Sequence, residues 1–520
     1  MKSLVCAVFC AVVFLSLPAS ENSAKSPTYS VRLDTSPGRV KSPLKVDMPL
    51  VGTLRPRSTK EIRSSNWMIG CETLDRDFAK FDEYKEFLPP LGCKTIRLQC
   101  GWHKCEKVRG VYDFAWLDGP VDFALANGMS VIMETSYGNR LYPGGGGEDL
   151  SGGFPTSEEA LAAWDRWVDA LTRHFKGRVW DFKVWNEPDN MPLDGSKRKT
   201  MEEIAVFNVR TAKIIKRNIP DARIAALCLS CSEPGMMEDC LKVMGRDMEL
   251  FTWILYHGYK KAPESSYYYV DKMWEVLRRY SQTLKLKQGE NGAPSDFAPD
   301  FALNGFPWSE YSQAKWNMRR MLGDLGHDVE SSVFTIVDYP HKGRFLNTKG
   351  LLRADEKRNV IAVKRAYYAV QNVVSVFDDR WTRVKDSKFG DGFGTEDMTL
   401  STYHYVKDSG EPLFVFWTHG KEFVKVREKF IDNGLMMPLK GKYMPFERPG
   451  ESFETRPAAF RWTGAALKDP VWVDLLTGAV YAFAKENLLR CHNGTYLVNV
   501  PVYDSPCFIT ERSALDMVAP

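Results

Sequence analysis

Short apolar runs recur at residues 67–71, 95–98, 130–134, 179–184, 223–229, 252–256, 284–288 and 333–337. Each is too short for a helix and is followed by room for one, so each reads as a strand. The clearest helical face is Leu161, Trp164, Val168, Leu171 and Phe175, which step by three and four. Phe78, Phe81, Tyr84 and Phe87 predict a second face, and Ile204, Phe207, Ile214 and Ile215 a third. Thr156 with Glu159 predicts a capping box ahead of the first. Eight strand-plus-helix units in succession predict an α/β fold, a (β/α)8 TIM barrel over residues 66–375. A doubly wound open sheet fits less well, because no run is followed by a GxGxxG turn. Glycines 144–147 lie in the loop after the third run without a Lys-Ser/Thr, and predict a flexible loop rather than a phosphate cradle.

Beyond residue 376 the texture changes. Alternating segments at 413–417, 471–475, 479–483 and 496–500 are separated by Gly, Pro and Asp, with Thr477-Gly478 as a hairpin turn. They predict a smaller antiparallel β-sandwich over 376–520, to which the Pro- and Ser-rich segment 25–65 lends strands. Residues 1–24 begin with Lys2, continue through an apolar run and end in small residues, the pattern of a secretory signal peptide. A secreted or periplasmic location follows. Cys6 and Cys10 sit inside the apolar run rather than at its end, which disfavours a lipoprotein anchor. No later apolar stretch is long enough to span a bilayer.

The net charge of +4 creates no field that would draw nucleic acid, and it fits a neutral saccharide better than nucleic acid without excluding an acidic sugar. Nine cysteines remain after the leader, an odd and scattered set that is not a disulfide framework, although one or two bridges are compatible with export. Cys228-x-x-Cys231 has no second pair or His couple nearby and predicts buried thiols rather than zinc. No metal or cofactor is required. The aromatic excess of 15 Trp, 21 Tyr and 29 Phe suits sugar binding and a large core equally.

Active sites of such barrels lie at the C-terminal ends of the strands. The fourth run ends Trp185-Asn186-Glu187-Pro188 and the seventh Gln288-Gly289-Glu290-Asn291-Gly292. An isolated strand-end glutamate is more often structural. Two of them on opposite sides of a barrel meet the need of glycoside hydrolysis for one protonated and one ionised carboxyl group.

The Asn186-Glu187-Pro188 motif with Glu290 on the seventh strand resembles the large clan A of retaining (β/α)8 glycoside hydrolases. The layout is most similar to the β-xylosidase and α-L-iduronidase family, or to the broad cellulase-like family. The resemblance implies that Glu187 is the acid/base and Glu290 the nucleophile. It implies that Arg97 on the second strand reaches toward Glu290, and that Tyr259 of the His257-x-Tyr259 pair bonds it. His257 would line the sugar site and Asn186 would donate to a substrate 2-hydroxyl. Trp185, Tyr137, Asn139, Trp308 and Tyr339 are further substrate-binding candidates, with Trp102, His103, Tyr142, Asp338 and His341 beside them. Many members carry a tryptophan after strand eight, where this chain has Asp338-Tyr339. The substrate class implied is carbohydrate, and the long loops after strands three and seven favour exo action. A secreted carbohydrate-binding protein without catalysis, and a transglycosylase using the same two glutamates, are the alternatives. The sugar, the linkage and the oligomeric state are not specified by the sequence.

Overall fold

The computed structural model describes residues 31–36, 38–149, 152–192, 197–341, 345–385, 392–393, 398–419, 452–462, 467–492 and 494–520. The predicted leader, 1–24, lies outside the described residues. Eight parallel strands close into a barrel: Trp67–Gly70, Thr95–Gln99, Ser130–Thr135, Asp181–Val184, Arg223–Leu229, Trp253–Tyr256, Lys285–Asn291 and Glu330–Val333. Pairing of Trp67 with Ser331 and of Ile69 with Val333 closes the ring. No helix among the described residues is long and apolar enough to cross a membrane.

The eighth strand departs from the predicted 333–337 by several residues. Its segment is Glu330, Ser331, Ser332 and Val333, too polar to stand out by hydropathy. Both serines are nonetheless buried: Ser331 Oγ donates to Asp324 at 2.8 Å and the Ser332 backbone amide to Gln288 Oε1 at 3.1 Å, while the Ser332 hydroxyl has no hydrogen-bond partner among the described residues. The apolar residues 334–337 follow the strand, with the Ile336 amide donating to the Gly70 carbonyl at 2.9 Å.

The helix Glu158–Phe175 buries Trp164, Val168, Leu171 and Phe175 as their spacing predicts. Its cap is Ser157, which accepts from the Ala160 amide at 3.1 Å, and not the expected Thr156–Glu159 box. Glu159 instead reaches Arg109 at 2.8 Å. The helix Met201–Asn218 is closed by a Thr200–Glu203 capping box. The face expected at Phe78–Phe87 does not form one helix. Pro89 and Pro90 fall among short turns at Phe81–Tyr84, Lys85–Phe87 and Leu88–Leu91, and Phe78 lies ahead of them, stacked 6.2 Å from Tyr339. The glycine run lies in a loop, as expected, and its backbone is closely packed. A Cβ at Gly145 would lie 2.0 Å from the Asn139 carbonyl oxygen, so backbone packs on backbone there.

An eight-stranded antiparallel sheet and a four-stranded one form the C-terminal β-structure, and the strand Leu50–Leu54 sits between Ala479–Ala482 and Met517–Val518 in the larger sheet. The strand Pro412–His419 shows how the layers assemble. Leu413, Val415 and Trp417 join the large core shared with the barrel, while Phe414 and Phe416 face Phe460 and Trp472 between the two sheets. Both faces are buried, so the segment reads as an unbroken apolar run. Gly478 turns the Pro470–Asp474 and Ala479–Ala482 hairpin with φ 77°, a left-handed conformation that favours glycine.

Candidate active site

Glu187 and Glu290 reach the barrel mouth by different local devices. At the end of the fourth strand Trp185 and Glu187 both take left-handed backbone, φ 59° and 45°, at a cost of about 1 kcal/mol or more each. The surroundings hold that turn: the Trp185 amide donates to Thr135 at 3.1 Å and the Glu187 amide to the Cys228 carbonyl at 3.0 Å. Cys228 lies in an irregular stretch of the fifth strand, where Leu227 (φ 72°) and Cys228 (φ 44°) interrupt the register and Asn208 Oδ1 takes the Leu227 amide. Glu290 lies within the seventh strand, followed by Gly292. A Cβ at Gly292 would fall 1.7 Å from the Phe334 carbonyl oxygen, so only glycine lets strands seven and eight approach there.

One oxygen of each carboxyl group and a ring nitrogen of His257 lie within 4.8 Å of one another. Glu290 accepts from Arg97 Nη2 at 3.0 Å on Oε2 and from the Tyr259 hydroxyl at 3.1 Å on Oε1. Glu187 accepts from Asn190 Nδ2 at 2.6 Å, and its Oε1 lies 2.6 Å from His257 Nδ1. Burial raises the Glu187 pKa; Asn190, Lys183 and Arg97 work against that rise, and Glu134 adds to it. Burial also drives His257 down to about 3, with Glu290 opposing and Lys183 and Arg97 reinforcing, so its imidazole is neutral. A neutral ring 2.6 Å from Glu187 accepts at Nδ1 when the acid carries its proton and donates there when it does not. The other ring nitrogen, Nε2, meets Cys228 Sγ at 3.3 Å.

Behind these groups the barrel interior holds a charged network. Arg97 also pairs with Glu72 and lies 3.9 Å from Glu134, and Glu134 pairs with Lys183. Burial opposes the Glu134 charge, but Lys183 and Arg97 outweigh it and hold the carboxyl below its usual range. Gln99 and Ser136 donate to the same carboxylate at 3.1 and 2.8 Å. Lys183 Nζ donates to Asn186 Oδ1 at 3.2 Å, and among the described residues no hydrogen bond engages Asn186 Nδ2. The amide is thereby oriented with its donor edge uncommitted.

The spacing of Glu187, His257 and Glu290 also suits a bound cation geometrically. The charge does not. The Arg97 guanidinium already occupies Glu290 Oε2, and a divalent ion beside it would meet like charge.

Glu187, Glu290, Arg97, His257, Tyr259 and Asn186 thus come together. Other candidates do not. Trp185 is 1% exposed, and its ring packs against Trp164, Phe207 and Phe154 at 5.6 to 6.0 Å, so it is a core side chain and not a sugar platform. Asn139 spends its amide on the Glu106 carbonyl and the Leu141 amide, which fixes the loop after strand three. Trp102 and Tyr142 both donate to the buried Glu106 at 2.5 Å. Trp308 donates to the Leu303 carbonyl in a small cluster with Phe306 and Trp316, against which Tyr259 packs, so it braces the site from behind. Asp338 is paired with Lys364 at 2.6 Å. Tyr137 accepts from Gln99 at 3.2 Å with Arg76 over its ring, and Tyr339 accepts from Asn347 at 3.1 Å between Phe78 and Phe334. Both are buried at the rim.

Sequence reasoning missed Asn190, Cys228, Glu134, Lys183 and Lys349. Asn190 stands three residues after Glu187, within reach of a turn, and that spacing was a usable signal. The nine cysteines are all free thiols.

The family described as glycosyl hydrolases family 39 matches residues 92–282, a span that contains Glu187, His257 and Tyr259. No curated protein matches the sequence. Among solved structures, a family 39 glycoside hydrolase from Bacteroides cellulosilyticus WH2 is similar at TM-score 0.60 and 14% identity, covering 88% of this chain and 83% of that one. A monomeric β-xylosidase from Caulobacter crescentus CB15 is similar at TM-score 0.55 and 15% identity, over 89% and 97%. A family 30 endoxylanase from Clostridium papyrosolvens C71 is similar at TM-score 0.53 and 14% identity, over 89% and 98%. At these identities the structures speak for the fold. Together with the family match over residues 92–282, they make the chain a (β/α)8 glycoside hydrolase, in line with the clan A resemblance carried by its Asn-Glu-Pro motif.

Proposed function

We propose that the chain is a secreted, retaining glycosidase in which Glu187 is the acid/base and Glu290 the nucleophile. The observation that carries this reading is the closeness of the two carboxyl groups, with an oxygen of each within 4.8 Å of the other. Retaining enzymes keep the groups about 5–5.5 Å apart, whereas inverting enzymes need roughly 6.5–9.5 Å to admit a water between.

The surroundings support the division of labour. Arg97 and Tyr259 place a fixed cation on one oxygen of Glu290 and a hydroxyl donor on the other, which holds the carboxyl group in place for attack. Burial keeps Glu187 protonated to higher pH than an ordinary glutamic acid. In the first step Glu290 attacks the anomeric carbon while Glu187 gives its proton to the leaving oxygen, and the glycosidic bond breaks. The covalent ester removes the Glu290 charge, which lowers the Glu187 pKa. Glu187 then takes a proton from water, the oxygen of that water attacks the anomeric carbon, and Glu290 leaves as carboxylate. Asn186 offers its Nδ2 donors to the sugar 2-hydroxyl. His257 accepts or donates at Nδ1 as Glu187 changes state. The leader-like residues 1–24 support secretion. The similarity to a β-xylosidase makes β-xylosides a first substrate to try.

The test is proton NMR of the product during early turnover of an aryl glycoside. Release of the sugar with the anomeric configuration of its substrate is expected. Release of the opposite anomer would overturn the nucleophile assignment.

A further inference from the structure

Five lysines are buried in the described structure: Lys183, Lys287, Lys315, Lys349 and Lys364. Four of them have a carboxylate in contact. Lys183 pairs with Glu134, Lys287 with Glu330 at 2.6 Å, Lys315 with Asp504 at 2.5 Å and Lys364 with Asp338 at 2.6 Å. Such pairing is what physical chemistry demands, since a buried ammonium without an opposite charge keeps its whole desolvation penalty. Lys349 breaks the pattern. It is 3% exposed, and among the described residues its Nζ makes no hydrogen bond and no ion pair.

Its position is at the reaction centre. Lys349 Nζ lies 5.8 Å from the centroid of the Tyr259 ring, whose hydroxyl bonds Glu290. Burial lowers its pKa to about 8, while the charges of Glu290 and Glu187 pull it back up, so the amine is largely protonated at neutral pH. The backbone around it is held firmly. The Lys349 amide donates to Asn347 Oδ1 at 3.2 Å, and its carbonyl accepts from the Thr335 amide at 3.4 Å. On either side, Gln313 Nε2 donates to the Thr348 and Gly350 carbonyls at 3.3 and 3.1 Å, and the Gly350 amide donates to Asp338 at 2.9 Å. A loop fixed this closely presents the ammonium to the site at little further ordering cost.

We propose that Lys349 binds an anionic substituent, a carboxylate or a sulfate, on the sugar held between Glu187 and Glu290, and so makes the enzyme selective for acidic glycosides. The inference rests on the glycosidase reading above and names the substrate class of that site. A neutral hydroxyl would leave the ammonium with no opposing charge in contact. A carboxylate or sulfate would give Lys349 what each of the other buried lysines already has. The balanced net charge of the whole chain does not argue against this, because a buried charge beside the site acts locally.

The experiment compares matched aryl glycosides with the purified full chain. 4-Nitrophenyl glucosides and galactosides, in both anomers, are each assayed beside their uronide and 6-sulfate counterparts. The expected result is that at least one anionic member exceeds its neutral twin by about tenfold or more in kcat/KM, the scale of one well-made polar contact. Lys349→Met should collapse that ratio by about 30-fold or more, the cost of removing one partner of a buried charge pair. Lys349→Arg should retain most of it. The ratio cancels any effect of Lys349 on the two glutamates that neutral substrates also feel. A wild-type preference for the neutral twin overturns the proposal whether or not the variants fold, and an unchanged ratio in Lys349→Met overturns it too. In both cases the glycosidase reading stands. Absence of turnover for every anionic member overturns the proposal, and the glycosidase reading is then tested apart from it with 4-nitrophenyl β-xyloside, on which turnover is expected. The uronide and 6-sulfate arms separate a carboxylate ligand from a sulfate.

Discussion

Glu187 and Glu290 are the same residue type, each 13% exposed, yet the two strand ends surround them differently. Glu290 receives a guanidinium and a phenol, both donors in any protonation state relevant near neutrality. Glu187 receives an amide and a neutral imidazole, and burial raises its pKa. Chemical identity is shared; the difference lies in which charge stands next to each carboxyl group. In the proposed mechanism this asymmetry separates nucleophile from acid.

The largest test of the comparison is leaving-group dependence in two variants. Glu290→Gln should lower kcat/KM by on the order of 10⁴ or more for good and poor leaving groups alike, since no other group can form the ester. Glu187→Gln should cost about 10²–10⁴ on an alkyl glycoside but far less on a dinitrophenyl glycoside, whose leaving oxygen needs no proton. Equal losses on both substrates in both variants would erase the distinction between the two ends.

A smaller effect is expected at Tyr259→Phe, which removes one hydrogen bond to a charged acceptor and should reduce kcat/KM by about tenfold to a hundredfold. If the loss appeared in KM alone, Tyr259 would be a sugar-binding group rather than a support for Glu290.

The finest test is the pH profile. Glu187 must be protonated to act as acid, so activity falls as pH rises through its raised pKa. The Asn190 hydrogen bond works against that rise, so Asn190→Ala should move the alkaline limb to higher pH. A limb that stayed put or moved down would remove Asn190 from the acid's surroundings. His257, Lys183, Arg97, Glu134 and Glu290 face the same carboxyl group and remain in that variant.

Much of this architecture was legible from local pattern, and the misses share causes. Seven barrel strands announce themselves by closely spaced apolar positions, unbroken in some and alternating with charged residues in Asp181–Val184 and Lys285–Asn291. The eighth does not, because its buried positions include Ser331 and Ser332, which the closed barrel covers and which distant Asp324 and Gln288 engage at the Ser331 hydroxyl and the Ser332 backbone amide. Helical periodicity located Glu158–Phe175 but not its cap, where Ser157 and Thr156 are chemically equivalent candidates one position apart. The Phe78–Phe87 face was regular in spacing and still broke into short turns, since Pro89 and Pro90, which open the last of them at Leu88–Leu91, have no N–H to bond back to the turn before. Trp185 stands beside Asn186 and Glu187 in sequence, yet the left-handed turn at Trp185 and Glu187 sends its ring into the core.

By itself the sequence determined the repeat of strand and helix, the two strand-end glutamates and the residue types around them, because these depend on spacing and on chemistry carried by single side chains. Tertiary structure alone decided what each glutamate touches, which aromatics are core, and that Lys349 comes to the site without a carboxylate of its own. The physical reason is range. Periodicity is set by neighbours a few residues away, whereas Arg97 and Glu290, or Cys228 and Glu187, are joined only when the barrel closes. Both the protonation state of a carboxyl group and the ligand a buried ammonium seeks are properties of that closed surround.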